Sequence, residues 1–239
     1  MKTAKINLLK ISILTVVCLF APIAAANAQS KPADAPTKET APKTEKKANE
    51  RPVAAPPKTV AAPEPFDKAD VKTLAAQCVK FDTEAGVIEL EMYPENAPES
   101  VRNFLNLAAT GAFDTTTFSR VVPNFIIQGG SIFTREKISP ELNLRARRTI
   151  PDEPSQIRHE RGIISMARPE QPNSATTDFF ILVSAAPNLD GDFAAFGRVT
   201  RGMETVDAIN KMPVEGEKPT KPVHITHATV MPCLAQTKP

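Results

Sequence analysis

The stretch of sequence that decides the fold is Phe118-Ser119-Arg120-Val121-Val122-Pro123-Asn124-Phe125-Ile126-Ile127-Gln128-Gly129-Gly130. Its apolar runs, 118–122 and 125–128, have the length and composition of two short β-strands separated by a Pro-Asn turn. Alternation along the first strand would place Arg120 on the same face as Phe118 and Val122. Taken alone, an arginine in this position favours a surface ion pair over a functional role.

Similar short runs recur through the C-terminal part of the chain, residues 66–239. The pattern predicts further strands at 79–82, 87–93, 162–166, 179–183, 195–199 and 223–231, and helices at 97–110 and 203–210. Many short strands with two helices favour a mainly β fold, a closed eight-stranded antiparallel β-barrel whose ends the two helices cap. Residues 131–161 have weak periodicity, and a loop of this length in a compact domain is usually functional.

The N-terminal part of the chain has a different composition. Residues 1–28 combine three lysines, an apolar run and a small-residue cleavage site, which predicts a secretory signal peptide cut after Ala28. The alternative is a transmembrane anchor, but the run of about 16 residues is shorter than the ~20 that span a bilayer. Residues 29–65 hold eight prolines and no glycine, which predicts an extended, disordered linker. We therefore expect a secreted protein, periplasmic and without stable membrane insertion after cleavage.

Composition and motifs exclude several functions. The full chain has a formal net charge of +2, no tryptophan and one tyrosine, so no nucleic-acid partner is implied. The sequence has none of the common nucleophile, metalloprotease or phosphate-binding motifs. His224 and His227 are three apart on a predicted strand and would face opposite sides, and His159 lies in a polar loop without an evident partner. No metal or cofactor is expected, so an enzyme of this sequence would work by binding and electrostatics.

The decisive stretch and four later blocks together resemble one known family. The later blocks are Gly162-Ile163-Ile164-Ser165-Met166-Ala167, Ser174-Ala175-Thr176-Thr177-Asp178-Phe179-Phe180-Ile181, Leu189-Asp190-Gly191 and Phe196-Gly197-Arg198-Val199. In this order and spacing they resemble the cyclophilin family of peptidyl-prolyl cis-trans isomerases, in particular its bacterial secreted members. The resemblance covers residues 78 to 232 and implies an isomerase of X-Pro bonds that assists the folding of secreted proteins.

The resemblance also implies roles for individual residues. Arg120 would be the catalytic residue, and Pro-containing polypeptides would be the substrates of a protein expected to be a monomer. The substrate-binding set would be Phe125, Phe180 and Leu189 around the proline ring, Ile126 beside them, Gln128 bonding the substrate backbone, and Ala167, Arg168 and Asp178 along the peptide. Since Phe179 and Phe180 face opposite sides of a strand, we expect the first in the core and the second in the groove.

Four positions depart from the family pattern. Ser119, Asn188 and Phe193 differ from the residues common there, and Asp178 replaces a glutamine, so that a carboxylate would either pair with Arg120 or repel acidic peptides. A second function therefore stays open beside catalysis: a non-catalytic module that binds Pro-containing segments while the linker tethers it.

Two cysteines, Cys78 and Cys233, remain after removal of the signal peptide. They flank the first and last strands of the predicted barrel, which would pair antiparallel and bring them together. A disulfide and two separate thiols both remain open, because strand ends are uncertain by a residue or two.

Overall fold

The structure is a computed structural model that describes residues 63–233 of the chain. The predicted signal peptide and nearly all of the predicted linker lie outside the described residues. Glu64, which composition assigned to the linker, accepts hydrogen bonds from Arg145 (2.6 Å) and Arg148 (3.4 Å), so contacts of the folded domain already begin there. Among residues 63–233, no helix has both the length and the apolar character needed to cross a membrane.

An eight-stranded antiparallel sheet forms the framework of the domain. Its strands, in chain order, are β1 (Gln77–Thr83), β2 (Gly86–Met92), β3 (Arg120–Val122), β4 (Ile126–Gly129), β5 (Ile163–Met166), β6 (Phe179–Leu182), β7 (Ala195–Arg201) and β10 (Ile225–Pro232). They are hydrogen-bonded in the order β10-β1-β2-β7-β5-β6-β4-β3, while β8 (Val214–Glu215) and β9 (Lys218–Pro219) form a separate hairpin. All eight predicted strands are present, with ends displaced by two residues at most.

The prediction of a closed barrel is wrong, because the two edge strands β10 and β3 do not pair with each other. Contact between the edges is limited to the segment before β3, where Thr117 and His224 form an isolated bridge and the N–H of Phe118 donates to Val223 at 2.9 Å. Thr115 has a φ of 63°, a left-handed conformation that a regular strand does not contain. The contact stays an isolated bridge, and the sheet does not close into a barrel.

The described residues contain four α-helices and two short 3-10 helices, Ile132–Thr134 and Pro187–Leu189, whereas the sequence predicted two helices. The predicted pair is present as α2 (Pro98–Ala109) and α4 (Met203–Asn210), and the additional α1 (Val71–Ala75) and α3 (Pro140–Arg145) are too short for a clear apolar period. α3 lies in the stretch predicted as a long loop. The same stretch supplies Glu153, whose carboxylate accepts from the N–H groups of Glu99 (2.9 Å) and Ser100 (2.7 Å) and so caps α2. This part of the loop therefore has a structural role.

The main core lies between one face of the sheet and α2. Four rings, Phe81, Phe104, Phe113 and Phe179, are almost fully buried and contact one another with centroids 5.1–5.9 Å apart. Phe118 is also buried here, whereas Val122 packs against a separate apolar cluster, so the expectation that Phe118, Arg120 and Val122 share one face is wrong. Buried aromatic area of this kind is the main source of stability in such a domain.

Cys78 and Cys233 form a disulfide, with Cα atoms 4.9 Å apart. β1 pairs with β10 in a register that sets Cys78 opposite Met231, and the N–H of Cys233 donates to Ala76 at 3.0 Å. The antiparallel pairing of the first and last strands thus brings the two cysteines together, and the alternative of two separate thiols is set aside.

Candidate active site

Strands β4, β5 and β6 are buried on both faces, and their residues alternate between two apolar clusters. On β6, Phe179 and Ile181 belong to the main core, whereas Phe180 and Leu182 belong to a second cluster on the opposite face of the sheet. Successive side chains of a strand point to opposite faces of the sheet, which produces this division. Phe179 therefore lies in the core and Phe180 outside it, as the sequence predicted. The second cluster is the apolar floor of a candidate site.

The second cluster brings together five of the residues predicted to bind substrate. Ile126 and Phe180 are buried within it, and Phe125, Ala167 and Leu189 pack against it while remaining partly exposed. Phe193, which the sequence identified only as a departure from the family, also packs here, edge to face with Phe180 at a centroid distance of 5.8 Å. A buried floor with partly exposed apolar walls is a suitable slot for a proline ring.

Arg120 lies beside this cluster, directly across from Gln128. The two residues are partners in the β3–β4 register, and Nη1 of Arg120 donates to Oε1 of Gln128 at 3.1 Å. On its other side, Nε of Arg120 donates to Oε2 of Glu217 at 2.6 Å. The guanidinium is therefore held at two points, while its Nη2 group has no partner among residues 63–233 and can donate to a ligand.

Glu217 is a contact of the site that the sequence did not reveal. It follows Gly216 in the β8–β9 turn, and its carbonyl accepts from the N–H of Val121 at 2.8 Å, so the hairpin is docked on β3. The hydrogen bond from Arg120 lowers the pKa of Glu217, which keeps the carboxylate charged at neutral pH. Arg120 and Glu217 are 97 residues apart, and no local pattern connects them.

The remaining predicted residues, Arg168 and Asp178, extend the site beyond the apolar slot. Arg168 lies over the ring of Phe193 at 5.2 Å and forms an ion pair with Asp152 at 3.3 Å. Asp178 is half-buried, and this burial raises the pKa of its carboxyl, while hydrogen bonds from Thr177 and Gln128 oppose the increase. Asp178 forms no ion pair with Arg120 among the described residues, so that alternative is excluded.

His159 is not the isolated polar residue that the sequence indicated. Its side chain is fully buried, with Nδ1 3.0 Å from Oδ1 of Asp190 and Nε2 3.0 Å from Oγ of Ser165. The N–H of His159 donates to the same Asp190 oxygen at 2.7 Å, and the carbonyl accepts from Ala186 at 2.8 Å. These bonds connect the turn that carries Leu189 to β5. In the sequence, the only indication of this role was the Asp190-Gly191 pair that follows Leu189.

The other two histidines pair separately. Nδ1 of His224 is 3.2 Å from Glu84, and Nδ1 of His227 is 3.1 Å from Asp114. Asn188, where the family pattern is aromatic, is exposed next to Leu189. The slot therefore has no aromatic side chain at this position.

Comparison with known proteins agrees with this geometry. Residues 78–230 match the family of cyclophilin type peptidyl-prolyl cis-trans isomerase/CLD. A peptidyl-prolyl cis-trans isomerase of Acinetobacter baylyi is 38% identical over 149 residues, covering 59% of this chain and 75% of that protein. Peptidyl-prolyl cis-trans isomerase CYP23 of Arabidopsis thaliana is 35% identical over 146 residues, covering 60% of this chain and 65% of its own length.

A solved structure shows the same fold. The crystal structure of a cyclophilin type peptidyl-prolyl cis-trans isomerase from Cryptosporidium parvum superposes with a TM-score of 0.59 at 29% identity, covering 66% of this chain and 99% of that one. Fold and site together define an antiparallel β-domain with an apolar slot and an adjacent fixed arginine. The chain belongs to the cyclophilin-type peptidyl-prolyl cis-trans isomerase family, a family of isomerases.

Proposed function

We propose that this protein catalyses rotation about X-Pro peptide bonds, with Arg120 as its catalytic residue and the second apolar cluster as its proline slot. The observation that carries the proposal is the cross-strand pair of Arg120 and Gln128 beside Phe125, Ile126 and Phe180. A relative from Cryptosporidium parvum was solved in the presence of the dipeptide Ala-Pro, at 30% identity and a TM-score of 0.57, and this supports Pro-containing polypeptides as substrates.

The chemistry requires neither a nucleophile nor a cofactor. Amide resonance gives the bond a rotation barrier of ~18–20 kcal/mol, and the prolyl nitrogen regains its lone pair when the bond twists. A fixed cation that donates to the twisted amide stabilises it more than either planar isomer, and this differential binding is catalysis. The guanidinium of Arg120, fixed by Glu217 and Gln128, suits this role because an arginine presents several donors in a rigid cationic group.

Gln128 would align the substrate backbone with this cation. Its Oε1 accepts from Nη1 of Arg120 at 3.1 Å, and this bond fixes the orientation of the amide group. A side-chain amide whose oxygen is engaged in this way still has N–H donors for a backbone carbonyl of the substrate.

The direct test measures cis-trans exchange of a Pro-containing peptide by NMR or by a coupled protease assay, with the full chain and without added metal or nucleotide. Uncatalysed exchange takes ~10–100 s, so acceleration is readily detected. A folded protein that binds the peptide but does not accelerate exchange would instead establish the non-catalytic binding module.

We also propose that the protein is exported to the periplasm and assists the folding of proteins there. The pattern of residues 1–28 supports export, and the disulfide between Cys78 and Cys233 suits an oxidising compartment. The test is N-terminal sequencing of protein from the periplasmic fraction, where the mature chain should begin at Gln29. Recovery of the uncleaved chain in the membrane or cytosolic fraction would contradict export.

A monomer that acts without a cofactor is the proposed working state. The substrate would cover the apolar surface around Phe125 and Leu189, so a second copy of the chain is not needed to bury it. Light scattering of the full chain should give the mass of one chain at concentrations where activity is measured, and a stable dimer mass would contradict it.

A further inference from the structure

A polar depression adjoins the proline slot. It has a volume of about 260 Å³ and is lined by Gln128, Ala167, Arg168, Ser174, Thr176 and Asp178 among others. Gln128 and Ala167 are shared between the depression and the slot region, so a chain whose proline occupies the slot presents a neighbouring residue to the depression. The charges that line it therefore act on the sequence around the proline.

The positive charge in this depression is already neutralised. The guanidinium of Arg168 forms an ion pair with Asp152 at 3.3 Å, with both side chains mostly buried. It also donates to the carbonyl groups of Pro169 (3.1 Å) and Asp192 (3.2 Å) and lies over the ring of Phe193. An acidic residue of a substrate would have to compete with all of these contacts, so Arg168 does not create a site for anions.

The negative charge of Asp178 is not neutralised in the same way. Its carboxylate accepts from Oγ1 of Thr177 at 3.3 Å, and the Gln128 side chain lowers the pKa of the carboxyl; both of these neighbours are neutral. Within residues 63–233, no lysine or arginine forms an ion pair with it. Arg120 pairs with Glu217 instead, and Arg168 with Asp152. A half-buried carboxylate without a counter-ion at the wall of an open depression attracts a cation.

We propose that Asp178 makes this isomerase selective for proline sites with a lysine or arginine within a few residues of the proline. The inference rests on the proposed function, since it assumes that the slot holds proline. A long cationic side chain that enters the depression forms an ion pair with Asp178, and this ion pair compensates the carboxylate for its lost hydration. An acidic side chain is repelled. The preference for cations is a property of position 178, because an uncharged glutamine there would not produce it.

The experiment uses the full chain and peptides that contain a single proline. In each peptide, one position between three residues before and three residues after the proline is varied. That position carries lysine, glutamine or glutamate, and all other residues are uncharged. Both kcat/KM for exchange and Kd by NMR titration are measured. At one position or more, lysine should exceed glutamate by about fivefold or more in both quantities, with glutamine in between. High salt should reduce the ratio.

Two variants locate the effect. Asp178→Asn should bring the lysine-to-glutamate ratio close to one. Asp192→Asn removes the same charge from an exposed residue near Arg168, outside the depression, and should leave both the ratio and the basal activity unchanged. An equal loss of preference in the two variants would show a diffuse field and overturn the assignment to Asp178.

The outcomes also separate this inference from the proposed function. Acceleration of exchange with equal rates and affinities for all peptides overturns the inference and leaves the isomerase intact. Binding with the lysine preference but without acceleration overturns catalysis and supports the inference. Failure to bind any of the peptides overturns both.

Discussion

The two faces of β6 have different functions, although both are apolar. Phe179, on one face, is fully buried among the rings of the main core, and Phe180, one residue later, belongs to the second cluster with partly exposed walls. The main core is covered by α2, whereas the second cluster is covered only in part by the turn carrying Leu189 and by Phe193. Burial on one face therefore contributes mainly to stability, and incomplete burial on the other leaves room for a ligand.

The largest effect that tests this comparison is expected from Phe179→Ala. Removing a ring in contact with four others should lower the free energy of unfolding by about 3–5 kcal/mol. Phe180→Ala, in the less enclosed cluster, should cost less stability and should raise KM instead. Urea denaturation and exchange kinetics per folded molecule measure both, with Phe179→Leu as a milder variant should the alanine variant not fold. Equal loss of stability and activity in the two positions would remove the distinction between the faces.

The next effect concerns Arg120, whose charge serves the substrate rather than the core. Arg120→Ala should lower kcat/KM by roughly 10²–10³, the usual cost of losing a preorganised donor to a transition state. The Tm should change little, because the side chain is partly exposed and its ion pair with Glu217 lies on the surface. Arg201→Ala, which removes an exposed arginine from β7, is the matched control and should retain full activity. Near wild-type turnover in Arg120→Ala would show that the catalytic residue is misassigned.

A third test uses the disulfide, which lies on the β1–β10 side of the sheet. Cys78 and Cys233 are 155 residues apart in sequence, so the bond restricts a long loop of the unfolded chain. Reduction should lower the free energy of unfolding by about 2–4 kcal/mol. Activity per folded molecule should not change, because the strands of the slot are β4, β5 and β6. The variant with both cysteines replaced by alanine should be insensitive to reductant; a similar sensitivity there would refute the disulfide as the cause.

These regions also differ in how far the sequence could predict them. The faces of Phe179 and Phe180 follow from alternation along one strand, and every predicted strand is present, since a period of two is a local property. The contacts of Arg120 with Glu217 and of His159 with Asp190 join residues 97 and 31 positions apart, and only the folded chain brings them together. The roles of Arg120 and Gln128 were inferred from family resemblance, because an arginine on a short strand is by itself an ordinary surface residue.

The closure of the barrel could not be predicted for a similar reason. It depends on pairing between β3 and β10, which are far apart in sequence, and the contacts of residues 115–118 with residues 223–225 form only in the folded chain. α3 was missed because six residues contain less than two helical turns, too few for an apolar period to be recognised.

The smallest effect is a pH dependence of stability that originates at Asp178. Burial raises the pKa of this carboxyl in the folded protein, against the opposing hydrogen bonds of Thr177 and Gln128. A carboxyl with a higher pKa in the folded than in the unfolded chain binds its proton more tightly when folded, so the protonated form favours folding. This contribution is present in acid, below the unfolded pKa, and is lost as the pH rises through the folded pKa. At neutral pH the ionised carboxylate thus costs stability.

Asp178→Asn should consequently raise the Tm at pH 7. The difference from the wild type should shrink as the pH falls through the raised pKa of the folded protein and vanish below the unfolded pKa, near 3.9 for an aspartate. Asp192→Asn, at an exposed position, should show no such trend. Thermal unfolding of the full chain between pH 3 and pH 8 measures both variants. A pH-independent increase in the Tm of Asp178→Asn would mean that packing, and not the charge of Asp178, limits stability at the polar depression. A loss at pH 7 would mean that the carboxylate is satisfied as it stands, and the attraction for a cation proposed above would have no physical basis.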